Sequence, residues 1–188
     1  MKYLKVGLLI VVMLLFATNG FAQRNGQWEI FFGGAIPLGP DFVKDNFEVG
    51  GSFHVQYVMF LSPRLGLSFG LAGEAFTVNQ DIKDAGVDIE LTVAELGIGL
   101  RPYLTPMESN IQIYLFGMGT YNVVKSTIRD DSGFEEDFEE KKAGIAVGGG
   151  FEIPAGSKFN ILLQGLGRVI FTEGDSFSFL GVTAGLAF

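Results

Sequence analysis

Residues 143–153 read AGIAVGGGFEI, and their reading turns on which of two alternating faces is the inside. Ile145, Val147, Gly149, Phe151 and Ile153 share one parity, and Gly144, Ala146, Gly148, Gly150 and Glu152 share the other. A period of two is the signature of a β-strand. In a water-soluble barrel of the lipocalin kind the bulk would point inward and the charges outward. Here one face is bulky and apolar while the other is small and carries a carboxylate. Small residues fit a narrow lumen, so the charge belongs inside and the bulk against hydrocarbon.

The same sorting repeats elsewhere. Leu65, Leu67, Phe69 and Leu71 oppose Gly66, Ser68, Gly70, Ala72 and Glu74, and Leu96, Ile98 and Leu100 oppose Glu95, Gly97, Gly99 and Arg101. Eight such stretches are expected, near Gln27 to Ile36, Glu48 to Leu61, Leu65 to Asn79, Ile89 to Leu104, Ile111 to Val124, Ala143 to Ile153, Phe159 to Phe171 and Phe177 to Phe188. The second, fourth and sixth connections are short and turn-like, at Ser62 to Arg64, Thr105 to Asn110 and Pro154 to Lys158. The first, third and fifth are longer and polar, at Pro37 to Phe47, Gln80 to Asp88 and Lys125 to Lys142; the seventh, Thr172 to Ser176, is short. Short turns on one side and long loops on the other are how a bacterial outer-membrane barrel is organised.

Bulk composition agrees. The chain is 48% hydrophobic with 27 glycines and 19 phenylalanines, too apolar for disorder, yet after the first 22 residues no run is long enough for a spanning helix. There is no cysteine, which removes disulfides, thiol chemistry and N-terminal lipid attachment. At the start, Lys2 and Lys5 precede an apolar run from Val6 to Phe16 and then Gly20-Phe21-Ala22. This is the pattern of a secretory signal peptide over residues 1–22, with a mature domain over 23–188, and the run is too short to span a bilayer. Without Lys2 and Lys5, eleven basic residues face 21 acidic ones, so nucleic acid is excluded as a partner by charge.

On the export signal, the eight alternating strands and the closing strand FSFLGVTAGLAF from Phe177 to Phe188, the chain resembles the small eight-stranded outer-membrane β-barrel proteins of the OmpA/OmpX-like group. The resemblance implies an all-β, antiparallel up-and-down transmembrane barrel in the outer membrane of a Gram-negative bacterium. It also implies that Phe188, a final aromatic on an amphipathic last strand, is read by the barrel-assembly machinery. No peptidoglycan-binding domain is expected after Phe188, unlike in the two-domain members.

Alternation places Glu29, Glu74, Glu95, Arg101, Glu152 and Arg168 inside. A symmetric third hairpin sets Glu74 directly opposite Glu95, with Arg168 reaching across to both. Arg101, Glu29 and Glu152 form a second cluster at the other end. Such pairs plug a lumen that eight strands leave too narrow for a water-filled channel. The lone histidine, His54, points inward as a hydrogen-bonded filler, with no serine and acid at a recognisable catalytic spacing. Metal binding lacks further nitrogen or sulfur ligands, and no cofactor is expected.

The segment KSTIRDDSGFEEDFEEKK, Lys125 to Lys142, holds seven acids against four bases and reads as a solvated outer loop. It could also bridge divalent cations to lipopolysaccharide, present Phe134 and Phe138 to a protein partner, or extend the strands above the membrane. Trp28, Tyr103, Phe159 and Phe188 at one end, and Phe76, Tyr121, Phe171 and Phe177 at the other, fit interfacial girdles. The expected role is non-enzymatic, structural or surface-interacting. The alternatives are a narrow porin-like channel or carrier of a small apolar ligand, and third a lipid-modifying enzyme.

Overall fold

A computed structural model describes residues 26–106, 109–130, 134–156 and 158–188. The expected signal peptide lies outside these residues. The element order is β1 (Gly26–Gly39), α1 (Asp41–Asn46), β2 (Gly50–Ser62), β3 (Leu65–Thr77), α2 (Gln80–Asp84), β4 (Val87–Pro102), β5 (Gln112–Asp130), β6 (Glu135–Pro154), β7 (Asn160–Ile170) and β8 (Phe177–Ala187). Each strand pairs antiparallel with the next, and β8 returns to β1, so the sheet closes in an up-and-down barrel. Closure leaves no open edge in the barrel wall, the condition a sheet must meet in hydrocarbon. Phe188 completes the seam, since its N–H donates to Trp28 O and its carbonyl accepts from Trp28 N, both at 2.9 Å.

The wall is inside out relative to a soluble protein. Phe32, Leu96 and Val182 on the outer face are 63%, 57% and 62% exposed, while Glu29, Asn122 and Glu152 on the inner face are 0%, 0% and 1%. The two faces also use glycine differently. A Cβ on inward Gly33 or Gly150 would collide with the Val182 or Leu163 carbonyl oxygen, whereas on outward Gly117 it would meet nothing within 4 Å. Inward glycines therefore let neighbouring strands and lumenal rings approach.

Pro37 falls within β1 at a register shift against β8, where a missing N–H is tolerated. The first and third connections carry the short helices α1 and α2. Asn79 caps α2 by accepting from Ile82 N at 3.2 Å.

Three expectations are corrected. The stretch from Lys125 to Lys142 is not a solvated loop but largely strand, the extension given as its alternative: β5 runs to Asp130 and β6 begins at Glu135, with Lys125 opposite Glu139 and Arg129 opposite Glu135. Opposite charges set across the pair, Lys125 with Glu139 and Arg129 with Glu135, accompany this extension of the two strands. Since β7 ends at Ile170, opposite Gly144, residues 135–142 of β6 pair only with β5 and form a charged free edge. Tyr103, Phe76 and Phe177, expected in girdles, are instead 3%, 0% and 6% exposed inside the barrel. Parity at the strand ends sends them inward, while Tyr121, Phe159, Phe171 and Phe188 face out. Finally, Glu74 is not opposite Glu95: Glu74 faces Val93 and Glu95 faces Ala72. The helix in the connection centres the hairpin one residue earlier, so the two glutamates are diagonal neighbours on one face.

Candidate functional site

The lumen is built in layers. At the end bearing the short turns, Arg101 of β4 makes a two-pronged pair with Glu29 of β1, Nη1 to Oε1 at 2.5 Å and Nη2 to Oε2 at 2.8 Å. A planar fork on a carboxylate is the strongest geometry available to such a pair. Gln27 Nε2 donates to Glu29 Oε1 at 2.6 Å and to Glu152 Oε2 at 3.3 Å, and Gln56 Nε2 donates to Glu29 Oε2. Asn160 Nδ2 donates to Glu152 Oε1. The guanidinium of Arg101 also lies 4.1 Å from the centre of the Tyr114 ring, whose hydroxyl donates to Gln164 Oε1 at 3.1 Å. Glu152 joins this expected cluster through Gln27 and Asn160.

Toward the loop end a second cluster forms. Arg168 Nη1 of β7 pairs with Glu74 Oε1 of β3, and Arg168 Nε lies 3.1 Å from Glu95 Oε2 of β4. The latter contact is electrostatic, because neither atom makes an aligned hydrogen bond. His54 Nε2 sits 3.0 Å from Glu74 Oε1, 2.6 Å from Ser52 Oγ and 3.4 Å from Arg168 Nη1. A cavity of about 20 Å3 bordered by His54, Gln56, Glu95, Gln164 and Arg168 separates the two clusters. That is room for one water molecule. Beyond the second cluster, Phe76, Phe177 and Phe179 pack ring against ring at 5.5 to 5.9 Å.

No protein-family model matches the chain, and no curated protein matches it. Among solved structures, Ail, the attachment invasion locus protein of Yersinia pestis, aligns over 87% of this chain and 97% of its own with 11% identity and a TM-score of 0.58. Neisserial surface protein A aligns over 87% and 96% with 10% identity and a TM-score of 0.58. A major outer membrane protein from Thermus thermophilus aligns over 87% and 98% with 14% identity and a TM-score of 0.56. The fold is that of the outer-membrane β-barrels.

Within this outer-membrane-type barrel, all six charged residues singled out in the sequence face the lumen and are buried. Two clusters form, Glu29 with Arg101 and Glu152, and Glu74 with Glu95 and Arg168. Ser52, Gln27, Gln56, Asn160, Tyr114 and Gln164 complete them and were not singled out. The available signal was parity: Gln27 alternates with Glu29, and Ser52 and Gln56 flank His54. The register brings Ser52, His54 and Glu74 together, although no spacing along the chain announced it. Ser52 and Glu74 both meet the same ring nitrogen, whereas a catalytic relay needs the nucleophile on one nitrogen and the acid on the other. Among the described residues no group of three or more His, Cys, Asp or Glu is arranged to hold a metal.

Proposed function

We propose that the protein is an integral outer-membrane barrel with a non-enzymatic, structural and surface-interacting role, its lumen closed by the two charge clusters. The observation that carries this reading is the inverted wall, with Leu, Ile, Val and Phe bare outside and Glu, Arg, Gln and Asn buried inside. Such a wall would aggregate in water and is stable only in lipid. The paired guanidiniums, the amides and the Phe76, Phe177 and Phe179 rings support a closed interior. With its aromatic ring outward at the seam, Phe188 serves recognition by the assembly machinery.

The β5–β6 hairpin is the interaction surface. Phe134 and Phe138 are 54% and 47% exposed among acids, an arrangement of apolar anchors in a charged surround suited to a protein partner outside the cell. The test is an outer-membrane fraction examined for heat-modifiable gel mobility, followed by planar-bilayer recording and partner capture with Asp130 to Glu140 deleted. The expected outcome is a mobility shift, a silent bilayer and loss of capture. Absence of both the shift and membrane association would overturn the reading.

A further inference from the structure

Strand β6 outruns its neighbour on one side. β7 ends at Ile170, opposite Gly144, so among the described residues β6 from Glu135 to Lys142 is paired with β5 alone. In an antiparallel ladder each residue turns its N–H and C=O to the same side. Ala143 O accepts from Phe171 N at 2.9 Å, which fixes the sides: Glu135, Asp137, Glu139 and Lys141 turn their backbone groups away from β5. All four residues are exposed. Their donors and acceptors, evenly spaced along a straight ladder, are a template for one more strand.

The side chains say what that strand would be. Residues 135–142, EEDFEEKK, hold five acids against two bases. Glu135, Glu139 and Glu140 are met by Arg129, Lys141 and Lys142 at 3.5, 3.8 and 3.3 Å, in surface pairs of little strength. Among the described residues Glu136 and Asp137 make no ion pair, and Phe138, 47% exposed, stands between the acids. On the free side Phe138 holds a non-hydrogen-bonded position, where facing side chains come closest. The edge is therefore complementary to an apolar residue with bases on both sides of it. A second copy of the chain is not. Barrels in one membrane carry β6 in the same direction, so two such edges would meet in parallel, and in register each acid would face its own like.

Resting on the surface-interaction reading above, we infer that β6 from Glu135 to Lys142 takes up an extended basic segment of another protein as an added antiparallel strand. Lysine or arginine lies opposite Glu136, Asp137, Glu139 and Glu140, and a β-branched or aromatic residue lies opposite Phe138. Backbone bonds supply the hold and the side chains supply the choice.

The experiment is fluorescence anisotropy of a labelled peptide titrated with the folded full chain in detergent micelles. The peptide is a valine with two lysines on each side and a threonine at each end. It binds, and its counterpart with glutamate in place of lysine does not. N-methylating the two lysines beside the valine weakens binding by about tenfold, the scale of lost backbone hydrogen bonds. Glu139→Pro weakens it by about tenfold more than Glu139→Gln, because both remove the charge and only proline removes the outward N–H. Both variants keep wild-type heat-modifiable mobility, since the Glu139 N–H faces away from β5; the N-methylated peptide puts the same question to the unaltered chain. Absence of binding by the lysine peptide, or equal binding by the glutamate or N-methylated peptide, overturns the edge. Self-association of the chain that Glu139→Pro abolishes gives the edge to a second copy and overturns it too. If partner capture is still lost on deleting Asp130 to Glu140, the surface-interaction reading stands without the edge; capture that survives the deletion overturns both.

Discussion

Arg168 on β7 pairs with Glu74 on β3, four strands away in either direction around the closed wall. The pair therefore spans the lumen and ties opposite walls together. Replacing Arg168 by Ala leaves Glu74 and Glu95 buried against a single histidine, and a buried carboxylate stripped of its partner costs about 3–5 kcal/mol. Arg168→Ala should lower the unfolding midpoint of the bilayer-inserted protein in urea. The triple variant Arg168→Met, Glu74→Gln, Glu95→Gln should recover most of the loss.

The closed-lumen reading predicts that wild type shows no discrete conductance in planar bilayers. Arg168→Ala should remain silent, because the Phe76, Phe177 and Phe179 rings still fill the loop end. Reproducible unitary currents in wild type that vanish in Arg168→Ala would replace the plug with a path.

Glu29 and Arg101 form the best-aligned pair in the lumen, and Arg101 also stacks on Tyr114. Lysine cannot reproduce a planar fork on a carboxylate. Arg101→Lys should destabilise the folded form nearly as much as Arg101→Met, which at about 3–5 kcal/mol is the cost of breaking a buried pair. Equilibrium unfolding of Glu29→Gln, Arg101→Met and their double variant checks it: the double variant should be closer to wild type than either single one.

Gly33 and Gly117 make a matched test of wall packing. Gly33→Ala drives a methyl into the Val182 carbonyl across the β1–β8 seam, while Gly117→Ala places it in open space toward lipid. The first should sharply reduce the heat-modifiable folded band and the second should leave it unchanged.

Phe188→Ala keeps both backbone bonds to Trp28, so the assembled barrel should unfold at the wild-type denaturant concentration. Its folded outer-membrane yield should nevertheless fall, which separates a role in assembly from one in stability. Normal yield would make the ring an ordinary part of the girdle.

Local chemistry is what the sequence settled. Strand faces follow from a period of two, so the alternation in AGIAVGGGFEI was enough to say that bulk points out and Glu152 points in. Six lumenal charges were legible for the same reason. Tertiary structure decided what each of them meets, because partners depend on register, and register depends on how each connection is built. A short helix in the third connection moved Glu95 from opposite Glu74 to beside it, and pairing across β2 and β3 delivered Ser52 and His54 to the same carboxylate. The length of β5 and β6 was likewise undecided by residue type: EEDFEEKK reads as a polar loop until a facing strand supplies its hydrogen bonds, and then it is the free outer strand of an extension that β4 and β5 continue. Parity is fixed by the chain itself, whereas pairing exists only once two distant segments close on each other.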